Sequence, residues 1–197
     1  MTWFDRVREE FSGLAMPFAG RPIGYLEYGC WKGDSAAWVC ENILTHRDCE
    51  MYVVDPYEAD AKHSREEVQA IMLAAHERIL QYRSCVFLSD RRQIQETVGD
   101  VHLCYIDGAH DAASVVLDFC AAWPHLSQIA VVVFDDWSIG KRKTIRHVPE
   151  AVEALALAFG DMIDWFHRGP RLSAFRILSK QPPDDEAMLR YLKGRQE

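Results

Sequence analysis

The feature that most constrains this chain is a set of short apolar runs, each closed by a small or acidic residue. The runs span 23–28, 51–54, 85–88, 101–106 and 129–134. They end at Gly29, at Asp55, at Ser89 and Asp90, at Asp107, and at Asp135 with Asp136. Stretches with helical spacing lie between and after them, over 34–44, 66–82, 94–98, 112–123 and 149–159. Run 129–134 is apolar almost throughout, as expected of a strand covered on both faces. Strands alternating with helices predict an α/β fold with a doubly wound, mostly parallel sheet and right-handed crossovers. Two more strands, over 162–167 and 172–178, flank the Arg168-Gly169-Pro170 turn. They predict a closing antiparallel hairpin and seven strands in all. Ligands of such sheets lie beyond the carboxyl ends of the strands, where this chain concentrates its polar residues.

A length of 197 residues fits one domain. Residues 1–22 read as a helical segment, with Trp3, Phe4, Val7, Phe11 and Leu14 at helical spacing before Pro17, Gly20 and Pro22 break it. The domain proper is read as 23–180 and a polar tail as 181–197, with Asp34-Ser35-Ala36 capping the helix after the first strand. A net charge of −8 argues against a nucleic-acid partner. The basic cluster of Lys141, Arg142, Lys143 and Arg146 reads as a solvated loop. No leader and no apolar run of the ~18 residues a membrane span needs is evident, so a cytoplasmic protein with no membrane partner is expected. The six cysteines form no C-x-x-C pair and read as reduced core residues. Trp3, Phe4 and Trp165, taken as exposed aromatics, permit a homodimer.

The loop after the first strand reads Glu27-Tyr28-Gly29-Cys30-Trp31-Lys32-Gly33-Asp34-Ser35. A glycine there lets the backbone turn tightly and approach a ligand. The G-x-G-x-x-G diphosphate fingerprint is missing, and Glu27 would sit badly beside a diphosphate. It suits a ligand with an amino group, such as S-adenosylmethionine (SAM). Asp55 is placed to accept both hydroxyls of a ribose, a role that serves NAD equally. Ser89 and Asp90 fall where an adenine amino group would lie, although Ser-Asp is also an ordinary turn.

Asp107, Asp135 and Asp136 end neighbouring strands, which run about 4.8 Å apart. Carboxylates that converge so closely repel unless something positive lies between them. A hard divalent cation such as Mg²⁺ answers that need. It would hold a hydroxylated acceptor and lower the pKa of its hydroxyl. His110, on the same loop as Asp107, has a ring suited to taking the acceptor proton, and Asp111 is the next candidate.

These residues resemble the class I SAM-dependent methyltransferases, in particular the small-molecule and sugar O-methyltransferases with their cephalosporin-hydroxylase-like relatives. The group's first loop is close to E-x-G-x-x-x-G-x-S, matched by Glu27, Gly29, Gly33 and Ser35. Its fourth strand ends I-D-G-x-H, matched by Ile106, Asp107, Gly108 and His110 with Ala109 between, and a later acid corresponds to Asp118. Its fifth strand ends in two aspartates and an aromatic, matched by Asp135, Asp136 and Trp137. The resemblance covers about 23–178. It implies a Rossmann-like sheet with helices on both faces and a SAM pocket lined by Glu27, Tyr28, Gly29, Gly33, Ser35, Asp55, Ser89, Asp90 and Asp107. It also implies a Mg²⁺ site at Asp107, Asp135 and Asp136, and a small sugar, polyol or phenol as acceptor.

The chain departs from the group at Ala109, where an acid thought to be the base usually stands, which leaves His110 or Asp111. Ser127-Gln128 replaces the usual glycine pair before the fifth strand. With about 20 residues before the first strand, acceptor selection is expected to rest on the loop from Trp137 to His147 or on a partner subunit. Two other functions fit the same fold: a non-catalytic SAM-binding or interaction protein, and an NAD-dependent oxidoreductase.

Overall fold

The computed structural model describes residues 2–137 and 147–180. The basic cluster at 141–146, most of the expected acceptor loop and the 181–197 tail lie outside the described residues. The sheet has seven strands: β1 (Gly24–Tyr28), β2 (Glu50–Val54), β3 (Val86–Leu88), β4 (Val101–Ile106), β5 (Leu126–Phe134), β6 (Ile163–Arg168) and β7 (Ser173–Ile177). Their order across the sheet is β3-β2-β1-β4-β5-β7-β6. The first five run parallel, and β7 pairs antiparallel with both β5 and β6. The expected mostly parallel sheet with its closing hairpin is therefore present. The order reverses direction between β1 and β4, which opens a crevice above their carboxyl ends.

Alternate residues of each strand face opposite sides, and each side has its own core. On one face Tyr25, Met51, Val53, Leu103, Tyr105, Val131 and Val133 pack under α1 (Arg8–Ala15) and α2 (Asp34–Asn42). On the other, Leu26, Val54, Cys104, Val132, Phe134 and Phe175 pack under α5 (Ala112–Ala122) and α6 (Val148–Phe159). Helix α3 (Arg65–Leu80) joins β2 to β3 and starts with a capping box, Ser64 to Glu67. A short α4 (Ile94–Thr97) follows β3.

Four local expectations change. Asp34 does not cap α2: Gly33, in the left-handed region at φ 72°, precedes the helix, and Asp34 pairs with Arg78 of α3. Phe4 is not exposed. It is buried in an aromatic cluster with Phe11 and Trp38, which ties the N-terminal segment to the first core. Trp165 is half-buried between Trp137 and Phe175. Finally, β5 starts at Leu126, directly after a 3-10 turn at Trp123–His125. Ser127 and Gln128 lie inside the strand, and the register shift opposite Val101–Leu103 is absorbed at Ile129, whose φ is 66°.

All six cysteines are free, four of them buried, whereas Cys120 is exposed. Among the described residues no helix is long and apolar enough to cross a membrane.

Candidate functional site

A cavity of about 1190 Å³ opens at the carboxyl ends of the strands. Its floor is made at Gly29. A Cβ there would stand 2.1 Å from the Asp107 carbonyl oxygen, and φ is 81°, so only glycine allows β1 and β4 to come this close. The Gly29 N–H donates to the Val54 carbonyl at 2.9 Å, and the Asp107 N–H to the Tyr28 carbonyl at 2.9 Å. The three central strand ends are thereby locked together beneath the cavity.

Asp55 lies on one wall. Its Oδ2 accepts from the Trp31 N–H and its Oδ1 from the Tyr57 N–H, each at 2.8 Å. Both Trp31 and Tyr57 hold positive φ, and the Tyr57 hydroxyl donates to the Trp31 carbonyl at 3.0 Å. Each Asp55 oxygen accepts one N–H here and has a second lone pair. Trp31, Tyr57 and His63 continue this wall, with Trp31 edge-on to His63.

Glu27, Gly33 and Ser35 do not line the cavity. Strand parity puts Glu27 on the face of Tyr25, and its carboxyl is fully buried. It accepts from the Tyr25 hydroxyl at 2.6 Å and the Ser35 hydroxyl at 2.5 Å. Burial pushes it up to about 7, against the pull of those two hydrogen bonds. Glu27 thus braces the start of α2 from below. Tyr28, one residue on, faces the other side and lines the cavity, and its buried hydroxyl has no partner among the described residues.

Ser89 and Asp90 line the cavity beyond β3. Asp90 caps the following 3-10 turn and pairs with Arg92, which holds its carboxyl down at about 2. Asp118 of α5 also reaches the wall. It pairs with Arg91 at 3.2 Å, but burial raises it to about 7.

Asp107, Asp135 and Asp136 all reach the cavity, with different surroundings. Asp135 keeps the parity of Val133 and accepts from the Tyr105 hydroxyl at 2.8 Å and from the Asp136 N–H at 2.6 Å. Asp107 and Asp135 hydrogen-bond to each other. Burial, then the neighbouring Asp135 and Asp136 charges, hold the Asp107 carboxyl well above its usual range. Asp136 holds a positive φ of 58°. Its Oδ2 lies 3.2 Å from His110 Nδ1. The ligating atoms of Asp107, His110 and Asp136 lie within 4.8 Å of one another. This trio holds two of the three aspartates expected as metal ligands, with His110 beside them. Asp111 is exposed and caps α5, accepting from the Ser114 N–H at 2.9 Å. It does not line the cavity, and its carboxylate caps the helix.

Residues that local patterns did not single out complete the site. Trp3, Arg6 and Val7 of the N-terminal segment form a wall, and Arg171 enters from the β6–β7 turn. Nothing in their own neighbourhoods marks them as site residues.

Residues 26–137, more than half of the chain, match a family described as a methyltransferase domain. No curated protein matches the chain by sequence. Among solved structures, the O-methyltransferase TomG from Streptomyces achromogenes, of tomaymycin synthesis and solved with SAM, has a TM-score of 0.60 at 13% identity, over 88% of this chain and 79% of that one. The O-methyltransferase NovP gives 0.62 at 14%, over 87% and 80%. The N-methyltransferase NodS from Bradyrhizobium japonicum, with S-adenosylhomocysteine, gives 0.60 at 14%, over 90% and 89%. At such identities the likeness is one of fold, and it extends over nearly all of this chain. The match in sequence falls on the segment that carries the glycine floor and the aspartates, so the chain belongs to the methyltransferase-domain family and has the class I, SAM-dependent methyltransferase architecture.

Proposed function

We propose that this chain transfers the methyl group of SAM to a hydroxyl oxygen of a small acceptor, a sugar, polyol or phenol, in the cytoplasm. The observation that carries the reading is the shared cavity: the Gly29–Asp55 cradle and the Asp107–His110–Asp136 cluster open into the same space. At about 1190 Å³ it exceeds the roughly 300–1,000 Å³ of most small-ligand pockets, which leaves room for a nucleoside and an acceptor together.

The residues present fit SAM. Gly29 leaves space over the floor where any side chain would intrude. Asp55 retains lone pairs for a ribose diol. Ser89 and Asp90 offer polar atoms beside an adenine edge. When bound, SAM supplies a methyl already attached to a positively charged leaving group. The chain's own work is to align the acceptor oxygen and take its proton.

Asp107, His110 and Asp136 would hold a divalent ion. Two carboxylates and an imidazole suit a transition ion as well as the expected Mg²⁺. Such an ion would lower the pKa of a bound hydroxyl. The His110–Asp136 contact at 3.2 Å supports a second route with no metal. In it Asp136 orients the neutral ring, His110 accepts the acceptor proton, and the Asp136 carboxylate stabilises the imidazolium that this forms.

Calorimetry with SAM and S-adenosylhomocysteine, followed by turnover of SAM with catechols and polyols in Mg²⁺, Mn²⁺ or EDTA, tests the reading. Loss of turnover in EDTA points to the metal route, and retention to the histidine. Failure of either nucleoside to bind would sink both routes.

A further inference from the structure

The cavity wall carries acids at Asp55, Glu58, Asp60, Asp90, Asp107, Asp118, Asp135 and Asp136 and cations at Arg6, Lys62, Arg91 and Arg171. Arg91 is committed to Asp118. Lys62 follows Asp60, which accepts its N–H. Among the described residues neither the Arg6 nor the Arg171 guanidinium has an ion-pair or hydrogen-bond partner, although acids line the same space.

The two arginines come from opposite ends of the chain and are brought to one side of the cavity by a third residue. Glu10, one helical turn beyond Arg6, accepts from the Leu172 N–H at 3.0 Å and lies 2.8 Å from His167 Nε2. Its side chain is only 14% exposed. A Cβ on Gly169 would stand 1.9 Å from its Oε1, so the turn is shaped to admit it. Glu10 pins the N-terminal segment to the β6–β7 turn and pairs with neither arginine. On the other side, the Trp137 N–H donates to the Arg171 carbonyl at 3.0 Å, which ties Arg171 to the strand end bearing Asp135 and Asp136. Both cations are therefore held at the β5–β7 side, across the strand ends from Asp55.

We infer that Arg6 and Arg171 form a cationic subsite for an oxyanion on the acceptor, and that the molecule methylated is a hydroxylated acid bearing a carboxylate or phosphate. This rests on the methyl-transfer reading and names its substrate class. Guanidinium groups present planar, paired donors suited to such oxyanions. A buried cluster of carboxylates would otherwise repel an anionic acceptor, and two cations on the β5–β7 side of the same cavity offset that field.

The test is SAM turnover over matched pairs: 3,4-dihydroxybenzoate against 3,4-dihydroxybenzyl alcohol, glucuronate against glucose, and 3-phosphoglycerate against glycerol. SAM affinity is measured alongside by calorimetry in the native chain and in Arg6→Gln, Arg171→Gln and the double variant. The expected result is a kcat/KM at least about tenfold higher for an anionic member. The preference falls toward unity in the double variant while SAM affinity stays within about twofold. Turnover confined to neutral members, silence of every anionic member, or a preference that survives the double substitution overturns the subsite. So does a large loss of SAM affinity in Arg6→Gln with acceptor preference intact, which would assign Arg6 to the cofactor's own carboxylate. A native chain that binds no SAM removes the methyl-transfer reading itself, a result read separately in the calorimeter.

Discussion

Asp55 holds Trp31: the carboxylate at the end of β2 accepts the backbone N–H of the loop residue at 2.8 Å, and Trp31 is kept at φ 46°. Asp55 therefore has two jobs, shaping the loop after β1 and presenting lone pairs to a diol. Asp55→Ala is expected to weaken SAM binding well over tenfold, but loss of the loop alone would do part of that. The 2′-deoxy analogue of S-adenosylhomocysteine separates the two. The native chain should discriminate against it, and Asp55→Ala should bind both nucleosides with the same residual affinity. An unchanged affinity in Asp55→Ala, or discrimination that survives, would contradict the ribose role.

His110 and Asp136 can be separated by metal dependence. Asp136→Asn keeps a neutral oxygen near the ring but removes the charge that favours a divalent ion and a protonated imidazole. It is expected to abolish metal dependence with SAM binding largely intact. His110→Ala is expected to slow kcat by about 100-fold or more, the range of a lost general base, with a small change in SAM affinity. Normal turnover in His110→Ala would remove the ring from the chemistry. Asp111→Ala serves as the contrast: it should cost about 1 kcal/mol through the lost α5 cap, visible in melting and not in kcat.

How much of this was legible depended on whether a signal was local. Strand β4 occupies the residues its apolar run predicted, because Asp100 and Asp107 bound the run on both sides. Strand β5 begins earlier than its apolar run, because Ser127, Gln128 and the positive φ at Ile129 hide the first residues within a bulge. The two strand-end aspartates were legible as a pair but not in their separate roles. Period-two parity sends Asp135 toward Tyr105, and the left-handed turn at Asp136 sends the next carboxylate toward His110. The same parity places Glu27 beside Tyr25 and away from the cavity. Arg6 and Arg171 had no local signal, since only the tertiary contact through Glu10 unites them.

Gly29 is the position where the backbone leaves least choice. An added methyl would meet the Asp107 carbonyl oxygen at 2.1 Å and the Gly108 Cα at 2.7 Å, and neither belongs to a movable side chain. Gly29→Ala is expected to destabilise the fold by at least about 1–3 kcal/mol, seen as a lower Tm, and to abolish SAM binding in the fraction that folds. Gly33 makes a graded comparison. Its φ is similarly positive, but an added Cβ would meet Ala75 at 3.4 Å. Gly33→Ala should cost only the ~1–2 kcal/mol of the left-handed conformation. Equal Tm values for the two variants would show that strand contact at Gly29 is not the dominant effect.

Buried Glu27 makes stability depend on pH with a definite sign. Its ordinary value of 4.5 is raised to about 7 in the fold, because burial disfavours the charged form more than Tyr25 and Ser35 favour it. Between those values the folded chain holds a proton that the unfolded chain has released. The contribution is fully present below about 4.5 and is lost as pH rises through about 7. Its size is on the order of 3 kcal/mol. Asp118, raised to about 7 by the same cause, adds to the slope in the same window. Glu27→Gln keeps an acceptor for one of the two hydroxyls and offers the other an amide N–H, while removing the charge. Its Tm should fall less than that of the native chain between about pH 5 and pH 8, and at the upper end it should be the more stable protein. Urea unfolding at both pH values measures this directly. Parallel pH dependence in the two proteins would mean that Glu27 stays ionised in the fold, stabilised by its two hydroxyl donors and the start of α2.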